Sequence, residues 1–222
     1  MTEKLYPISK IHLQMHDAPG KLIDNIIDNW LVGIRESNPA ILDMLKYPDK
    51  LPNRRLLPWS GEFAGKYVTC SVLLYRLTKN QKLYTYLQSF IRELISLQKE
   101  NGYMGCWPTN CQLSGRSARE KIGDQDPYNT WDGWAHYHIM SGLLLWYEET
   151  GDSAAWDCVI KIADLFCETF YNPDTGSRRL YDMGETEMNY APGHVFAILY
   201  RKTKEQKYLD FALEVLQDFA AP

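Results

Sequence analysis

The stretch that decides the fold is Leu74-Tyr75-Arg76-Leu77-Thr78-Lys79-Asn80. It returns twice, as Trp146-Tyr147-Glu148-Glu149-Thr150-Gly151-Asp152 and as Leu199-Tyr200-Arg201-Lys202-Thr203-Lys204-Glu205. Each copy follows an apolar segment and precedes an amphipathic one, such as 207–216, with apolar residues at helical intervals. The first two copies end in Asn or Asp, which cap the start of a helix, and Gly151 is a residue that ends one. Each copy is therefore predicted to close one helix and open the next.

The rest of the chain also has a largely helical pattern. Helices are predicted at about 20–35, 61–78, 81–100, 131–150, 153–170, 187–203 and 206–219. They make three helical hairpins and a leading helix, after an extended segment over 1–18. The segments 101–130 and 171–186 are rich in Gly, Pro, Asn and Asp and indicate long loops. A loop as long as 101–130 is a candidate wall of a functional site.

The spacing of the hairpins indicates how they assemble. The three copies begin 72 and 53 residues apart (74 to 146 to 199), which is too long and irregular for short tandem superhelical repeats. It suits an all-α fold, an α/α toroid of helical hairpins with long inner loops. A closed ring of six hairpins needs about twelve helices. The single domain over 1–222 is therefore expected to be an incomplete ring, with its open edge covered by a second copy or by a C-terminal half that completes the barrel.

Composition excludes several classes of partner. The formal net charge of -4 and the pI near 5.8 argue against nucleic acid, which requires clustered Lys and Arg. No stretch reaches the roughly 18 uncharged apolar residues that a membrane span requires, and the N-terminus has no apolar signal region. A cytoplasmic protein is expected. The seven Trp and fifteen Tyr suit a sugar partner, because sugars pack their C–H faces on aromatic rings, although buried core aromatics are the commoner explanation.

The five cysteines indicate reduced thiols. An odd count without a secretory signal argues against a disulfide framework. Cys106 and Cys111 have a spacing that suits a metal, but no second Cys or His pair follows at the usual distance. No metal site and no cofactor are expected in this chain.

Four motifs, taken in order, resemble a known family. They are Trp59-Ser60-Gly61-Glu62-Phe63-Ala64-Gly65-Lys66-Tyr67, Gln98-Lys99-Glu100-Asn101-Gly102-Tyr103, His138 twelve residues before Thr150, and Leu199-Tyr200-Arg201-Lys202-Thr203 with Tyr208-Leu209. Their content and order are similar to those of the β-L-arabinofuranosidase-like enzymes of glycoside hydrolase family 127. The resemblance covers about 55–219.

The resemblance implies an (α/α)6 barrel that hydrolyses arabinose-type linkages. It also implies a glutamate and a cysteine nucleophile held near zinc by further cysteines, in a second half of the barrel beyond this chain. None of the five cysteines here falls on a matching motif, so zinc is expected only in a full-length relative. The first half is expected to supply part of the sugar pocket.

His138 is the strongest site residue that the resemblance implies, because it lines up with a histidine on the family helix that closes on the sugar. A neutral imidazole can donate to one hydroxyl and accept from another. Trp134 and Trp131 lie four and seven residues earlier, on the same helical face. The three residues are expected to form a pocket wall, and core packing is the alternative. Asp132 and His136 fall on a different side of the helix.

Glu62 and Lys66 are four residues apart, in the orientation that favours an intrahelical ion pair. The resemblance implies histidines at these two positions in some relatives, so the substrate is expected to differ. A surface salt bridge is the alternative. Trp59, just before this helix, is expected to be a stacking platform for a sugar ring.

The third group of candidates lies in 185–194, before the last hairpin. Pro192 either sits in the first turn of the helix or kinks it, so polar groups around it are expected to point inward. Glu187 is a candidate catalytic carboxylate together with Glu62, and Asn189 and His194 are candidate sugar contacts. An exposed, solvated Glu187 is the alternative.

Three functions remain open from the sequence. The first is a glycoside hydrolase-like domain that acts on or binds arabinofuranoside-type sugars. The second is a non-catalytic sugar-binding or scaffold domain, which would keep the aromatic wall but have no nucleophile. The third is another α/α toroid sugar enzyme, an epimerase or an unsaturated uronyl hydrolase, which requires two catalytic His or an Asp pair from different hairpins.

Overall fold

The computed structural model describes residues 15–48, 56–118, 120–121, 123–124, 126–172, 174 and 178–220, and these residues form an all-helical protein. In chain order the elements are α1 (Asp17–Ile26), a π-helical turn (Ile27–Leu31), α2 (Ile34–Ser37), α3 (Ala40–Lys46), α4 (Glu62–Thr78), α5 (Gln81–Ser96), α6 (Asp132–Thr150), α7 (Ser153–Thr169), a 3-10 turn (Leu180–Met183), α8 (Thr186–Asn189), α9 (Pro192–Thr203) and α10 (Gln206–Ala220). The described ranges contain no strand, and an isolated bridge joins Arg116 to Asn129. None of the described helices is both long and apolar enough to cross a bilayer.

The three hairpins α4–α5, α6–α7 and α9–α10 form two rows. Helix α6 packs between α4 and α9 in an inner row, and α7 packs between α5 and α10 in an outer row. Helices α4 and α6 are parallel, because Gly65 lies against His138 while Gly142 lies against Val68, further along both helices. Helix α9 runs the same way as α6, because His194 contacts Tyr137 near the start of both helices and Lys202 pairs with Glu148 near their ends. Their N-terminal ends, with the long loops, therefore meet at one end of the molecule, which we call the site end. This arrangement confirms the predicted helical-hairpin α/α toroid.

The three repeated stretches form the same turn. In each, the threonine hydroxyl donates to the carbonyl four residues earlier and accepts the backbone N–H two residues later, as in Thr78 with Leu74 (2.8 Å) and Asn80 (3.2 Å). The same pairs form at Thr150 and Thr203. The residue directly after the threonine has a left-handed backbone conformation in every copy, with φ of 52° at Lys79, 75° at Gly151 and 65° at Lys204. The same threonine turn therefore connects the two helices of all three hairpins, at the end opposite the site end.

The beginning of the chain differs from the prediction. One helix over 20–35 is wrong, because Gly33 is left-handed (φ 101°) and separates α2 from the π-helical turn. Residues 1–14 of the predicted extended segment 1–18 lie outside the described residues, and Asp17 and Ala18 already belong to α1. Helix α3 was not predicted. Its seven residues are too few for a clear helical period to appear in the sequence.

The predicted helix over 187–203 is two helices. Pro192 is the first residue of α9, where its missing N–H is tolerated. A four-residue helix, α8, precedes it. The core lies between the two rows, where Phe196 and Phe211 stack with ring centroids 3.9 Å apart.

Candidate functional site

The site begins where α4 and α6 come into backbone contact. A Cβ atom on Gly65 would lie 2.2 Å from the backbone carbon of His138, and one on Gly142 would lie 2.9 Å from the carbonyl oxygen of Gly65. The missing side chains allow the two helices to approach closely. The approach brings the first turns of α4 beside the first turns of α6, and so brings Glu62 and Lys66 beside Trp134 and His138. We call these four residues the Glu62 cluster.

Glu62 has both carboxylate oxygens engaged. Lys66 Nζ lies 2.9 Å from Oε1 as an i,i+4 ion pair, and the indole N–H of Trp134 donates to Oε2. The Glu62 side chain is 7% exposed, whereas the Lys66 side chain is 40% exposed. The predicted Glu62–Lys66 pair therefore forms, and it extends across the helix contact to Trp134. Each carboxylate oxygen still has a second lone pair that can accept a ligand hydroxyl.

Trp134 is surrounded by charged and aromatic groups. Lys66 Nζ lies 5.5 Å from its ring centroid, Tyr137 stacks at 5.6 Å, and the His138 ring meets it edge-on at 4.4 Å. These neighbours hold the indole ring in place, and its N–H in turn fixes the position of the Glu62 carboxylate. Tyr137 is a site residue that sequence reasoning missed, and its position three residues after Trp134 on the same helix was the available signal.

His138 is half-buried, and its Nε2 atom is buried without a hydrogen-bond partner among the described residues. Burial lowers the pKa of His138 to about 4, helped by the positive charge of Lys66 and opposed by Glu62. The imidazole is therefore neutral at neutral pH. A neutral ring with a vacant nitrogen can donate to or accept from a ligand hydroxyl, depending on its tautomer.

The two other predicted tryptophans pair at the site end. Trp59 precedes α4, and Trp131 occupies the N-cap position of α6. Their ring centroids lie 5.6 Å apart. The Trp131 backbone N–H donates to Pro58, which holds the segment before α4 against the start of α6. Both tryptophans are half-buried, so part of each ring remains accessible to a ligand.

One candidate of the last hairpin, His194, reaches the Glu62 cluster through one aromatic ring. His194 lies 5.9 Å from Tyr137, which in turn contacts both Trp134 and His138. Glu187 is exposed and lines a groove between α9 and α10 together with His194. The catalytic role of Glu187 and the sugar contact of His194 stay predictions.

Asn189 is fully buried, and backbone groups engage its amide. Its oxygen accepts from the Gly133 N–H at 3.0 Å, and its nitrogen donates to Thr130 at 2.9 Å and to Gly184 at 2.8 Å. These bonds tie α8 to the start of α6 and to the loop before it. The observed contacts assign Asn189 to holding the site end together, and its predicted sugar contact stays a prediction.

A buried polar network behind α6 holds the loop 101–130. Asp132 and His136 are both fully buried, on the other side of α6 from His138, as the helical period predicted. Asp132 accepts from the Tyr103 hydroxyl at 3.0 Å and from the Leu113 N–H at 2.9 Å, and His136 Nε2 accepts from the Met104 N–H at 3.0 Å. The network positions the loop, a role that sequence reasoning missed because the partners lie 19 to 32 residues earlier in the chain.

The described residues do not fit a zinc site. They contain no group of three or more His, Cys, Asp or Glu residues placed to hold a metal ion. Cys106, one of the two cysteines with a possible metal spacing, donates its Sγ–H to Ser60 at 3.1 Å. The cysteines are not joined by disulfides.

Comparisons with known proteins agree with this fold. Among protein-family models, residues 28–219 match the one described as β-L-arabinofuranosidase, GH127 catalytic domain. Among solved structures, the chain is similar to one titled as a GH127 β-arabinofuranosidase, with a TM-score of 0.66 and 17% sequence identity over 89% of this chain. The alignment spans 31% of that structure, about a third of its length. No curated protein matches the chain.

The family match covers most of the chain and includes α4, α6 and α9, the helices that carry the candidate site. The similar structure shares the helical fold. The chain therefore belongs to the GH127 family, whose matching model describes the catalytic domain of β-L-arabinofuranosidase.

Proposed function

We propose that this chain forms the part of a glycoside hydrolase that binds arabinofuranoside-type sugars, with the Glu62 cluster as its sugar contact. The observation that carries the proposal is the vacant Nε2 of His138 beside the clamped Glu62 carboxylate. Leaving a buried polar atom unpaired is costly, and a ligand hydroxyl would satisfy this one. Family membership, in a family whose model describes a β-L-arabinofuranosidase catalytic domain, supports the sugar class.

The cluster offers complementary groups for a sugar. Glu62 accepts hydroxyl protons, Lys66 donates with the N–H groups that Glu62 leaves free, and neutral His138 completes the set. Trp59 and Trp131 supply apolar ring surface for the C–H face of the sugar. A site that hydrogen-bonds several hydroxyls discriminates strongly against sugars that lack them, because its own buried groups would then stay unpaired.

For hydrolysis we propose Glu62 and Glu187 as the acidic residues. Glycoside hydrolysis passes through an oxocarbenium-like transition state and uses two carboxyl groups on opposite sides of the scissile bond. Glu62, held by Lys66 and Trp134, suits a fixed carboxylate that stabilises developing positive charge. Glu187, which is exposed at the start of the last hairpin, suits a group that exchanges protons with solvent.

Sugar binding is tested by calorimetric titration with methyl β-L-arabinofuranoside. We expect Trp134→Phe, which removes the indole N–H from Glu62, and His138→Ala to weaken binding at least about tenfold. Trp156→Phe is the matched control, because Trp156 is half-buried against Tyr147 at the opposite end of the hairpins. Equal losses of melting temperature with unchanged affinity would assign Trp134 and His138 to the core.

Hydrolysis is tested by the release of L-arabinose from aryl arabinofuranosides. We expect release by the wild-type chain and loss of release in Glu62→Gln and Glu187→Gln. Binding without release would instead support the second function, a non-catalytic sugar-binding domain.

A further inference from the structure

A cleft opens in the outer row, between α5 and the turn that joins α6 to α7. Its volume is about 520 Å³, which lies within the range of about 300–1,000 Å³ that is typical of small-molecule sites. Helices α5 and α7 approach each other much less closely than α4 and α6 do, so the outer row leaves this space open. Trp146, in its wall, follows Trp134 by twelve residues, or roughly 18 Å along α6. The cleft is therefore separate from the Glu62 cluster, and we call it the outer cleft.

Helix α5 lines the outer cleft with a stripe of polar side chains. Tyr84, Gln88 and Arg92 are four residues apart and so share one helical face. Tyr84 and Gln88 are half-buried, and Arg92 is exposed. Within the described ranges, the Tyr84 hydroxyl, the Gln88 amide and the Arg92 guanidinium have neither a hydrogen bond nor an ion pair. Their donors and acceptors are therefore available to a ligand.

The opposite wall of the outer cleft holds a carboxylate in a fixed position. The Trp146 indole N–H donates to Oδ2 of Asp152 at 3.0 Å, and the backbone N–H of Ala154 donates to Oδ1 at 3.1 Å. Trp146 is 1% exposed, so its indole is itself held by packing. Each carboxylate oxygen keeps a second lone pair that can accept a ligand hydroxyl. The outer cleft thus places a fixed acceptor opposite the unpaired donors of α5.

The aromatic lining of the outer cleft is particular to the second hairpin. The centroids of the Tyr84 and Trp146 rings lie 5.4 Å apart, at an interplanar angle of 32°. The other two copies of the repeated stretch have leucine where this one has Trp146, at Leu74 and Leu199. Those copies form the same threonine turn, so the turn does not require a tryptophan. The Trp146 indole therefore has a role other than closing the hairpin, and it fixes Asp152 in the cleft.

We propose that the outer cleft binds a neutral sugar ring, as a second carbohydrate site that goes beyond the proposed function. A sugar hydroxyl both donates and accepts, and adjacent hydroxyls match the Gln88 amide, the Arg92 donors and the Asp152 acceptor. The half-buried Tyr84 ring supplies apolar surface for the C–H face of the sugar. The lining carries one cation, Arg92, and one carboxylate, Asp152, so a charged ligand of either sign meets a like charge. A neutral ligand with several hydroxyls uses both groups.

The experiment records ¹⁵N NMR spectra of the full 222-residue chain during titration with methyl β-L-arabinofuranoside and, separately, with methyl β-D-galactopyranoside. We expect at least one of these sugars to shift the Arg92 Nε–H and Trp146 indole N–H resonances. The dissociation constant should be about millimolar, because the ligand is small. The double variant Gln88→Met with Arg92→Met should weaken the binding that Trp146 reports by at least about tenfold. Neither replaced side chain is buried, so circular dichroism should show unchanged helix content.

The matched control is Gln217→Met with Arg201→Met, which makes the same two changes at exposed positions of the last hairpin and should leave binding unchanged. Unshifted Arg92 and Trp146 resonances with both sugars, or unchanged binding in the double variant of the cleft, would overturn the proposal. Tighter binding of methyl β-D-glucuronide, an anion, would overturn it as well, because the cleft would then be an anion site. In the same spectra the Trp134 indole N–H reports on the Glu62 cluster. Shifts there without shifts at Trp146 would support the proposed function and contradict the sugar site in the outer cleft.

Discussion

At the scale of single residues, His138 has a buried ring nitrogen, Nε2, with no hydrogen-bond partner among the described residues, and it has a shifted pKa. Its pKa is about 4 in the folded chain, against 6.5 for an ordinary histidine, chiefly because burial disfavours the charged ring. The folded state therefore prefers the neutral ring. The unfolded chain binds the extra proton first as pH falls, so stability is lost between about pH 6.5 and about pH 4.

We predict that His138→Gln removes part of this acid sensitivity. The free energy of unfolding of the wild type should fall by about 1 kcal/mol more than that of the variant between about pH 7.5 and about pH 4.5, after allowance for solvent screening of a half-exposed ring. Urea unfolding at the two pH values measures the difference. Asn29→Gln, a conservative change at an exposed position, should follow the wild type. Identical pH dependence in all three proteins would contradict the buried, neutral state of His138.

At the scale of elements, the repeated turn sets the hairpins. Its threonine satisfies a helix-end carbonyl and a following N–H, and a left-handed residue then reverses the chain. Glycine adopts that conformation without steric cost, whereas a residue with a Cβ atom is strained there. Only the middle copy has glycine, at Gly151; the other two have Lys79 and Lys204.

We predict that Lys204→Gly stabilises the protein by up to about 1 kcal/mol and that Gly151→Ala destabilises it by about 1 kcal/mol. Lys204 is the suitable position because Lys79 forms an ion pair with Glu149, whose loss would offset the gain. Denaturant unfolding of both variants checks the signs. A destabilised Lys204→Gly would mean that the cation–π contact with Tyr200, at 5.6 Å, outweighs the backbone strain.

At the scale of the whole molecule, the long loops are fixed by a few buried polar groups. Asn189 joins α8, the start of α6 and the segment ending at Thr130 through three hydrogen bonds. Asp132 and His136 fix the loop 101–130 from the other side of α6. The site end is therefore held by contacts between segments that are far apart in sequence.

We predict that Asn189→Ala lowers the free energy of unfolding by about 2–4 kcal/mol, because it leaves one N–H and two carbonyl groups buried without partners. Chemical denaturation measures this cost. Asn29→Ala, at an exposed asparagine, should change stability by less than about 0.5 kcal/mol. A stable Asn189→Ala variant with weakened sugar binding would instead support the predicted sugar contact.

Much of the fold could be predicted from the sequence, because local physics sets it. Helical periodicity and the threonine turns act over a few residues, so five of the six hairpin helices were predicted to within about four residues of their observed ends. The start of α9, at Pro192 and not at 187, was further off. The prediction of one continuous leading helix was wrong at Gly33. The left-handed backbone of this residue interrupts the helix, although the sequence remains apolar on both sides. The Glu62–Lys66 pair was predicted as well, since its i,i+4 spacing is local.

The sequence by itself determined that this chain forms helical hairpins and which helix faces carry acidic, basic and aromatic side chains. Only the tertiary structure decided that Glu62 meets Trp134 and that His138 keeps a vacant nitrogen beside them. The reason is that these contacts join helices separated by the loop 101–130, and they depend on the close approach that Gly65 permits. Periodicity records which face a residue occupies, whereas the partner across that face depends on how the whole chain packs.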